Sequence, residues 1–400
     1  MADGILKGSG TQTDPWLVED AWDLHALRDL PLSWQWIKIE NDINLSAFPN
    51  WTPIPDVRQF NIDGNNKEIR NLRMTGTATA SAHMGLFHWL ETQETKDLII
   101  EGDINCTGTG TNPAGMLAGR IACNGAGKVS NIQCFGSVTG VFTGATGSVG
   151  GVFGDYWGES NVSASIENCA FYGSITHSIS NSSTTVPGAA QYRTCGGIFG
   201  DITSRSGITD HSVVIRNCIS VCQFVLVSGN AHSIIGGISG GSRNAVGSRL
   251  IDGCIAKVKL RITNSGNYTQ PVWFGGIVGS QIENTSVENC AAFCDIEYDP
   301  VGTLTQLNVG GIQGNRPSST NVVRNCYAVI SFDNPNDTPL PTVNMRGIAH
   351  NGEIINSFFD AGVLAKGWSG DVIGETWGRT TQQLQSRQFL ESQGWVFADV

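Results

Sequence analysis

The sequence predicts an all-β fold: a single-chain parallel β-helix, or β-solenoid, with repeats of about 36 residues and short helical caps at both ends. Three observations predict it. A G-G-x-x-G motif recurs at Gly150–Gly154, Gly196–Gly200, Gly236–Gly240, Gly275–Gly279 and Gly310–Gly314, with weaker copies at Gly85–His88, Gly115–Gly119 and Gly347–His350. Between these copies falls a second motif, apolar-x-Asn-Cys, at Ile166–Cys169, Ile215–Cys218, Val287–Cys290 and Val323–Cys326; Ile251–Cys254 is the same unit with glycine for asparagine. The spacing is constant, since Cys218, Cys254, Cys290 and Cys326 follow one another at 36 residues. A fixed period with variable content between is what stacked coils produce.

The elements follow in chain order. Residues 1–60 read as an N-terminal cap or attachment segment. Within it, Glu19 to Leu30 carries Ala21, Trp22, Leu24, Leu27 and Leu30 at helical spacing, which suits a plug over an exposed end coil. Residues 61–370 read as the β-helix, roughly eight to nine coils at one coil per repeat, although two smaller coils per repeat would also fit the spacing. Cys169 stands 49 residues before Cys218, so that coil carries an insertion, with its tip in the run Ser178 to Thr185. After each cysteine the residues alternate. Cys254, Ala256, Val258, Leu260 and Ile262 oppose Lys257, Lys259 and Arg261; Cys290, Ala292, Cys294 and Ile296 oppose Ala291, Phe293, Asp295 and Glu297. Period two is a strand with one buried face. At ~4.8 Å between neighbouring strands, the stack makes a rod of roughly 40 Å. Residues 371–400 read as a C-terminal helical cap over Thr380 to Ser392, where Thr380 and Gln383 fit a capping box and Leu384, Phe389 and Leu390 plug the end.

Composition excludes several classes. Charged residues are only 15% and hydrophobic residues 40%, so the chain can bury a core and is not disordered. The net charge of −11 and the lack of a basic stripe argue against nucleic acid and against anionic membrane surfaces. No apolar run is long enough to insert into a membrane. Met1 to Asp14 has no basic stretch followed by an apolar one, so no secretory leader is expected. The glycines recur with the coil period and form no phosphate loop, and no cofactor or metal is expected.

Four sets of residues are candidates for special roles. The cysteine column Cys169, Cys218, Cys254, Cys290 and Cys326 reads as reduced core packing, with disulfide staples as an alternative and metal ligation a weaker one for want of C-x-x-C spacing. Cys106, Cys123 and Cys195 fall outside the column and are better candidates for bridges. The asparagine column Asn168, Asn217, Asn289 and Asn325 reads as a structural ladder that satisfies buried polar groups between coils. Glu297 and Asp333 are 36 residues apart, hence in one column, with Asp295 nearby and Arg261 preceding Glu297. Carboxyls ~5 Å apart suit retaining glycoside hydrolysis, so these three would be the catalytic candidates in an enzyme, against the plainer reading of a solvated face with an Arg–Glu contact. Trp34, Trp36 and Trp51 either fill the N-terminal cap or stack on sugar faces. The histidines His177, His211 and His232 read as loop-like and unrelated to the carboxylates.

These motifs resemble the GLUG-motif β-helix repeats of bacterial surface adhesins and phage tail proteins. Gly8 to Val18 followed by Ala21 to Leu27 resembles the opening of such a β-helix, Phe60 to Leu72 its first turn, and Arg379 to Leu384 with Gly394 to Phe397 its closing segment. The resemblance is specific for fold and weak for activity. The adhesins carry a signal peptide and a wall anchor, which are not expected here. The resemblance therefore implies a virion setting: a tail fibre, tail spike or decoration protein on the phage tail or capsid surface. Such a protein binds a host surface glycan or docks to other virion proteins, often as a homotrimer. Two alternatives stand beside this non-enzymatic reading: a polysaccharide depolymerase, hydrolase or lyase, on the same scaffold, and a bacterial cell-surface adhesin.

Overall fold

The computed structural model describes residues 6–78, 83–108, 113–142, 147–158, 163–179, 192–204, 212–227, 232–243, 248–263, 270–280, 284–299, 302, 304–315, 321–336, 341–349, 353–361, 378–386, 388 and 392. Its architecture is an all-β parallel solenoid. Among the described residues the strands form one 24-stranded and one 6-stranded sheet. One coil shows the plan: the strands Ile219–Val227, His232–Gly236, Ser239–Arg243 and Arg249–Asp252 follow in sequence. The second of them belongs to the six-stranded sheet and the other three to the large one. The register settles one coil per repeat, because Ile219 pairs with Ile255, Ile255 with Ala291 and Ala291 with Tyr327.

The strand that follows each cysteine alternates as the sequence predicts. Ala256, Val258, Leu260 and Ile262 are buried while Lys257 is exposed and Lys259 and Arg261 are partly exposed. Stacked inward columns such as Phe224, Leu260, Ile296 and Phe332 make a continuous apolar core along the rod.

Two backbone demands explain the repeated motifs. The residue before each cysteine of the column, and its equivalent in the other coils, turns the chain through the left-handed region: Asn71, Asp97, Asn131, Asn168, Asn217, Gly253, Asn289, Asn325 and Asn356 all have φ between 45° and 63°. That conformation costs most residues about 1–2 kcal/mol and suits Asn, Asp or Gly, which are the residues found. The G-G-x-x-G motif forms the corner between the second and third strands. A Cβ on Gly236 would lie 1.9 Å from the Ser239 carbonyl oxygen of its own coil, and one on Gly237 1.9 Å from the Gly276 oxygen of the next. The first glycine permits the corner; the second permits the coils to stack.

The stack extends beyond the expected limits of residues 61 and 370. Trp16–Val18 pairs in parallel with Gln35–Ile39, and that strand with Ile54–Ala78, so residues 1–60 already hold coil strands and Phe60 to Leu72 is not the first turn. Those early coils lack both repeat motifs, which hides them in the sequence. At the other end Phe359 pairs with Gly378.

The N-terminal helical cap is shorter than expected, and among the described residues of the C-terminal cap Thr381–Leu384, Gln388 and Ser392 are helical. The N-terminal helix is Ala21–Ala26, capped by the Asp20 side chain and continued by a 3₁₀ turn at Leu27–Asp29. Ala21, Leu24 and Leu27 are buried, but Trp22 is 46% exposed and does not serve as plug. The C-terminal helix is Thr381–Leu384, with the capping box between Thr380 and Gln383 in place and Leu384 buried. Phe389, Leu390, Gly394 to Phe397 and most of the insertion tip Ser178 to Thr185 lie outside the described residues, as does His211.

Candidate functional site: a two-toned groove on the outer sheet face

The site lies on the outer face of five stacked strands, Ala170–Ile179, Ile219–Val227, Ile255–Ile262, Ala291–Tyr298 and Tyr327–Asp333. Because strand residues alternate and coils pair in register, outward side chains form columns along the rod. One column runs Glu101, Phe135, Tyr172, Val221, Lys257, Phe293, Val329. Beside it on one side runs Ile219, Ile255, Ala291, Tyr327, and on the other Ser174, Gln223, Lys259, Asp295, Ser331. One half of the face is therefore apolar and the other polar.

Exposure picks out the apolar half. Val221, Ile255 and Phe293 are 39%, 44% and 39% exposed, which is uncommon for large hydrophobic residues. Phe135 stacks on Tyr172 at 5.1 Å, and Phe293 meets Tyr327 edge-on at 5.8 Å, so the rings hold one another in place. Between the two halves lies a groove of about 490 Å³. Val221, Lys257, Phe293 and Val329 line one side of it, and Gln223, Lys259, Asp295 and Ser331 the other. The Ser331 hydroxyl donates to Asp295 at 2.9 Å.

Of the candidate carboxylates Asp295 lines this groove, and Glu297 and Asp333 lie in the next outward column. Arg261, Glu297 and Asp333 are register neighbours, so the column read from the sequence exists. Its electrostatics are those of an ion pair. The Lys259 ammonium lies 2.7 Å from one Glu297 oxygen and the Arg261 guanidinium 2.9 Å from the other. The hydrogen bond from Lys259, assisted by Arg261, holds the Glu297 carboxyl below the usual carboxylate range. A general acid needs the opposite shift. Asp295 lies 4.0 Å from Lys259 and lines the groove, where its oxygens accept hydrogen bonds.

The tryptophan candidates lie elsewhere. Trp51 is 1% exposed, its Nε1 donates to the Leu86 carbonyl at 3.1 Å, and Arg28 covers its ring at 5.4 Å. It is a core residue of the N-terminal end, and its expected contact with ligand is withdrawn because no face of the ring is open. Trp34 and Trp36 are half-buried, Trp36 in the strand paired with Ile54–Ala78. None of the three lines the groove.

All eleven cysteines are free and buried, and the column is more than apolar filling. Cys254 Sγ accepts the Cys218 N–H at 3.4 Å, and Cys290 Sγ accepts that of Cys254 at 3.4 Å. Each thiol also donates to a carbonyl, as Cys290 does to Glu288 at 3.0 Å and Cys326 to Arg324 at 3.2 Å. In the last coil Ser357 takes the same place, accepting the Cys326 N–H at 3.0 Å. The column is thus a thiol ladder that satisfies buried backbone groups at the turn. Burial pushes the Cys218 and Cys290 thiols well above their ordinary range. The suggested bridges at Cys106, Cys123 and Cys195 do not form, because their register neighbours are Gly140, Thr92, Val149 and Ile235 rather than cysteines. Among the described residues no group of three His, Cys, Asp or Glu side chains converges as a metal site.

The asparagines belong to the surface rather than to buried polar groups. Asn168 Nδ2 donates to Asn131 Oδ1 at 3.2 Å and Asn325 Nδ2 to Asn289 Oδ1 at 3.1 Å, both in exposed ladders. Where Gly253 interrupts the column, Asn289 donates instead to Asp252 at 2.8 Å. Asn217 is exposed in the same row of turns. His177 and His232 differ from their expected loop positions: His177 sits in a strand, 2% exposed, with Gly140 and Leu226 as register neighbours, and His232 opens the strand His232–Gly236.

Fold and face together define a parallel β-solenoid with a shallow, two-toned groove along its outside. No family model matches the sequence, and no curated protein matches it. Among solved structures the chain is similar to a "putative immunoglobulin A1 protease" from Bacteroides ovatus, with a TM-score of 0.51 and 17% identity over 96% of this chain and 89% of that one. At that identity the likeness is one of fold.

Proposed function

We propose that this protein is a binding rod that holds a polysaccharide of a host cell surface in the groove between Phe293 and Asp295, without cleaving it. The setting we assign is the phage virion, as a tail fibre, tail spike or decoration protein; the same groove would serve an adhesin on a bacterial surface. One observation carries the reading: an exposed aromatic ring faces a wall of hydrogen-bonding side chains across a groove of about 490 Å³. Sugars present an apolar C–H face and a rim of hydroxyls, so an apolar wall opposite Gln223, Lys259, Asp295 and Ser331 matches both.

Size favours a glycan over a protein partner. A large apolar side chain offers about 150–250 Å². At their exposures Val221, Ile255 and Phe293, the most exposed large apolar side chains of this face, together open on the order of 200 Å², against about 800 Å² per partner in a stable protein interface. The depolymerase reading is disfavoured by the two cations that neutralise Glu297. The test is size-exclusion chromatography of the protein with host surface polysaccharide, following retention and chain length together. Co-elution with polysaccharide of unchanged length, lost in Phe293→Ser, is expected. Shortened chains would overturn the binding-only reading and return attention to Glu297 and Asp333.

A further inference from the structure

The cations of the outer face are not equivalent. Lys259 and Arg261 are both engaged by Glu297, at 2.7 and 2.9 Å, and Lys259 also stands 4.0 Å from Asp295. Lys257 is different. It occupies the apolar column between Val221 and Phe293, is exposed, and lines the groove. No ion pair among the described residues includes it. A strand of this fold keeps a column uniform where packing demands it, as the inward columns show. Here the column that starts at Glu101 is apolar from Phe135 to Val329, through Tyr172, Val221 and Phe293, except for a single ammonium between Val221 and Phe293.

The charge stands out against the whole molecule. The chain carries a net −11, so a polyanion gains nothing from the general field and must find a local cation. The neighbouring cations are engaged within the protein: Lys259 and Arg261 both pair with Glu297, and Lys259 stands 4.0 Å from Asp295, while the exposed Asp333 follows Glu297 in its column. Lys257 is the cation of this face that no ion pair among the described residues engages, and it stands beside one aromatic face.

Resting on the glycan reading above, we infer that the groove selects an acidic polysaccharide, with Lys257 as the residue that pairs with the acidic group while Phe293 supports the ring. Lysine acts as a point charge on a flexible stem, so the shared chemistry is a singly charged group on a sugar, a uronate carboxylate or a sulfate ester. Val221 and Phe293 on either side exclude part of the water, and an exposed pair of this kind is worth up to about 1 kcal/mol, or about fivefold in affinity.

The experiment compares three probes by isothermal titration calorimetry: a polyuronate, the same polymer with its carboxyls reduced to alcohols, and a neutral polysaccharide sulfated to equal charge density. The proteins are the wild type, Lys257→Gln and Phe293→Ser. The wild type is expected to bind the polyuronate about fivefold tighter than the reduced polymer. Lys257→Gln should lose that difference while keeping its affinity for the reduced form, and added salt should weaken the wild type more than the variant. Sulfated polymer binding as well as polyuronate identifies charge as the feature read; weaker binding identifies the carboxylate. Equal affinity of the wild type for the polyuronate and its reduced form overturns the inference and leaves the glycan reading intact. Binding of none of the three, or binding untouched by Phe293→Ser, overturns the glycan reading itself.

Discussion

Replacing Gly237 by alanine tests whether the second glycine of the corner exists for coil stacking. An alanine Cβ there would stand 1.9 Å from the Gly276 oxygen of the next coil and 2.5 Å from the Ala256 Cβ. To bring the first contact to the 3.0 Å floor that real Cβ atoms respect, the coils must part locally by at least 1.1 Å. The normal spacing is ~4.8 Å, and both neighbours are backbone or held by backbone, so no flexible side chain can absorb the shift. The Gly237 N–H donates to Gly275 at 3.1 Å; opened by that amount, the bond is lost. A buried donor left unsatisfied costs about 1–3 kcal/mol and overpacking a further ~1–3 kcal/mol, so Gly237→Ala should cost about 4 kcal/mol. Gly125 supplies the control. Its φ is +63° but a Cβ there meets nothing within 4 Å, so Gly125→Ala should cost only the ~1 kcal/mol of the left-handed backbone. Urea unfolding followed by far-ultraviolet circular dichroism gives both values. If Gly237→Ala is no more destabilising than Gly125→Ala, the stacking argument fails, and with it the physical reading of the G-G-x-x-G motif.

Three further outcomes follow from the interior. Cys254→Ser should cost under about 1 kcal/mol and Cys254→Ala about 1–3 kcal/mol, because serine keeps, and alanine removes, the acceptor for the Cys218 N–H; equal costs in urea unfolding would reduce the ladder to apolar packing. Ellman's reagent should find none of the eleven buried thiols in the native protein and all of them in guanidinium, and rapid labelling of the native state would contradict their burial. His177 is depressed to about 3 by burial and by the Arg193 charge, so the native state stays unprotonated where the unfolded chain, near 6.5, takes up a proton. Its contribution is whole above pH 6.5 and falls as pH drops toward 3, a loss of about 2 kcal/mol by pH 5. His177→Leu should narrow the stability gap between pH 7 and pH 5 by that amount; an unchanged gap would show that this imidazole does not titrate as argued.

The period, the strand alternation and the single coil per repeat were legible because they follow from residues that repeat. Cys254 and Lys257 announce their faces by parity alone. The thiol hydrogen bonds were not legible, since cysteine at a buried turn looks the same whether it packs or accepts an N–H. Ser357 in the last coil is the one sequence hint, a hydroxyl where the others carry a thiol. The asparagines misled for a similar reason: a polar residue in every coil suggested a buried ladder, whereas the common cause is positive φ, as Gly253 in the same row could have indicated. Trp51 and His177 failed because composition says nothing of direction. The groove was within reach. The 36-residue step places Val221, Lys257, Phe293 and Val329 in one outward column, as it does Glu297 and Asp333.

Inward and outward columns differ for a physical reason which bears on where function resides in this fold. Every inward position meets the same neighbours above and below, so its residue type is dictated coil after coil, as in the isoleucines Ile198, Ile238, Ile277 and Ile312, all 0% exposed. Outward positions meet only two register neighbours and solvent, and nothing in the packing requires one outward residue to match the next. Variation there costs the scaffold little, so a break in an outward column is free to answer to a ligand. From Phe135 to Val329 the column that contains Lys257 is otherwise apolar, for reasons the core does not impose. The column of Arg261, Glu297 and Asp333, by contrast, engages its one cation within the protein and ends in an exposed carboxylate, so it offers an acidic ligand no free positive charge. Outward columns on one rigid sheet thus divide the work, one with its cation engaged and one with its cation left open, and the open one borders the groove.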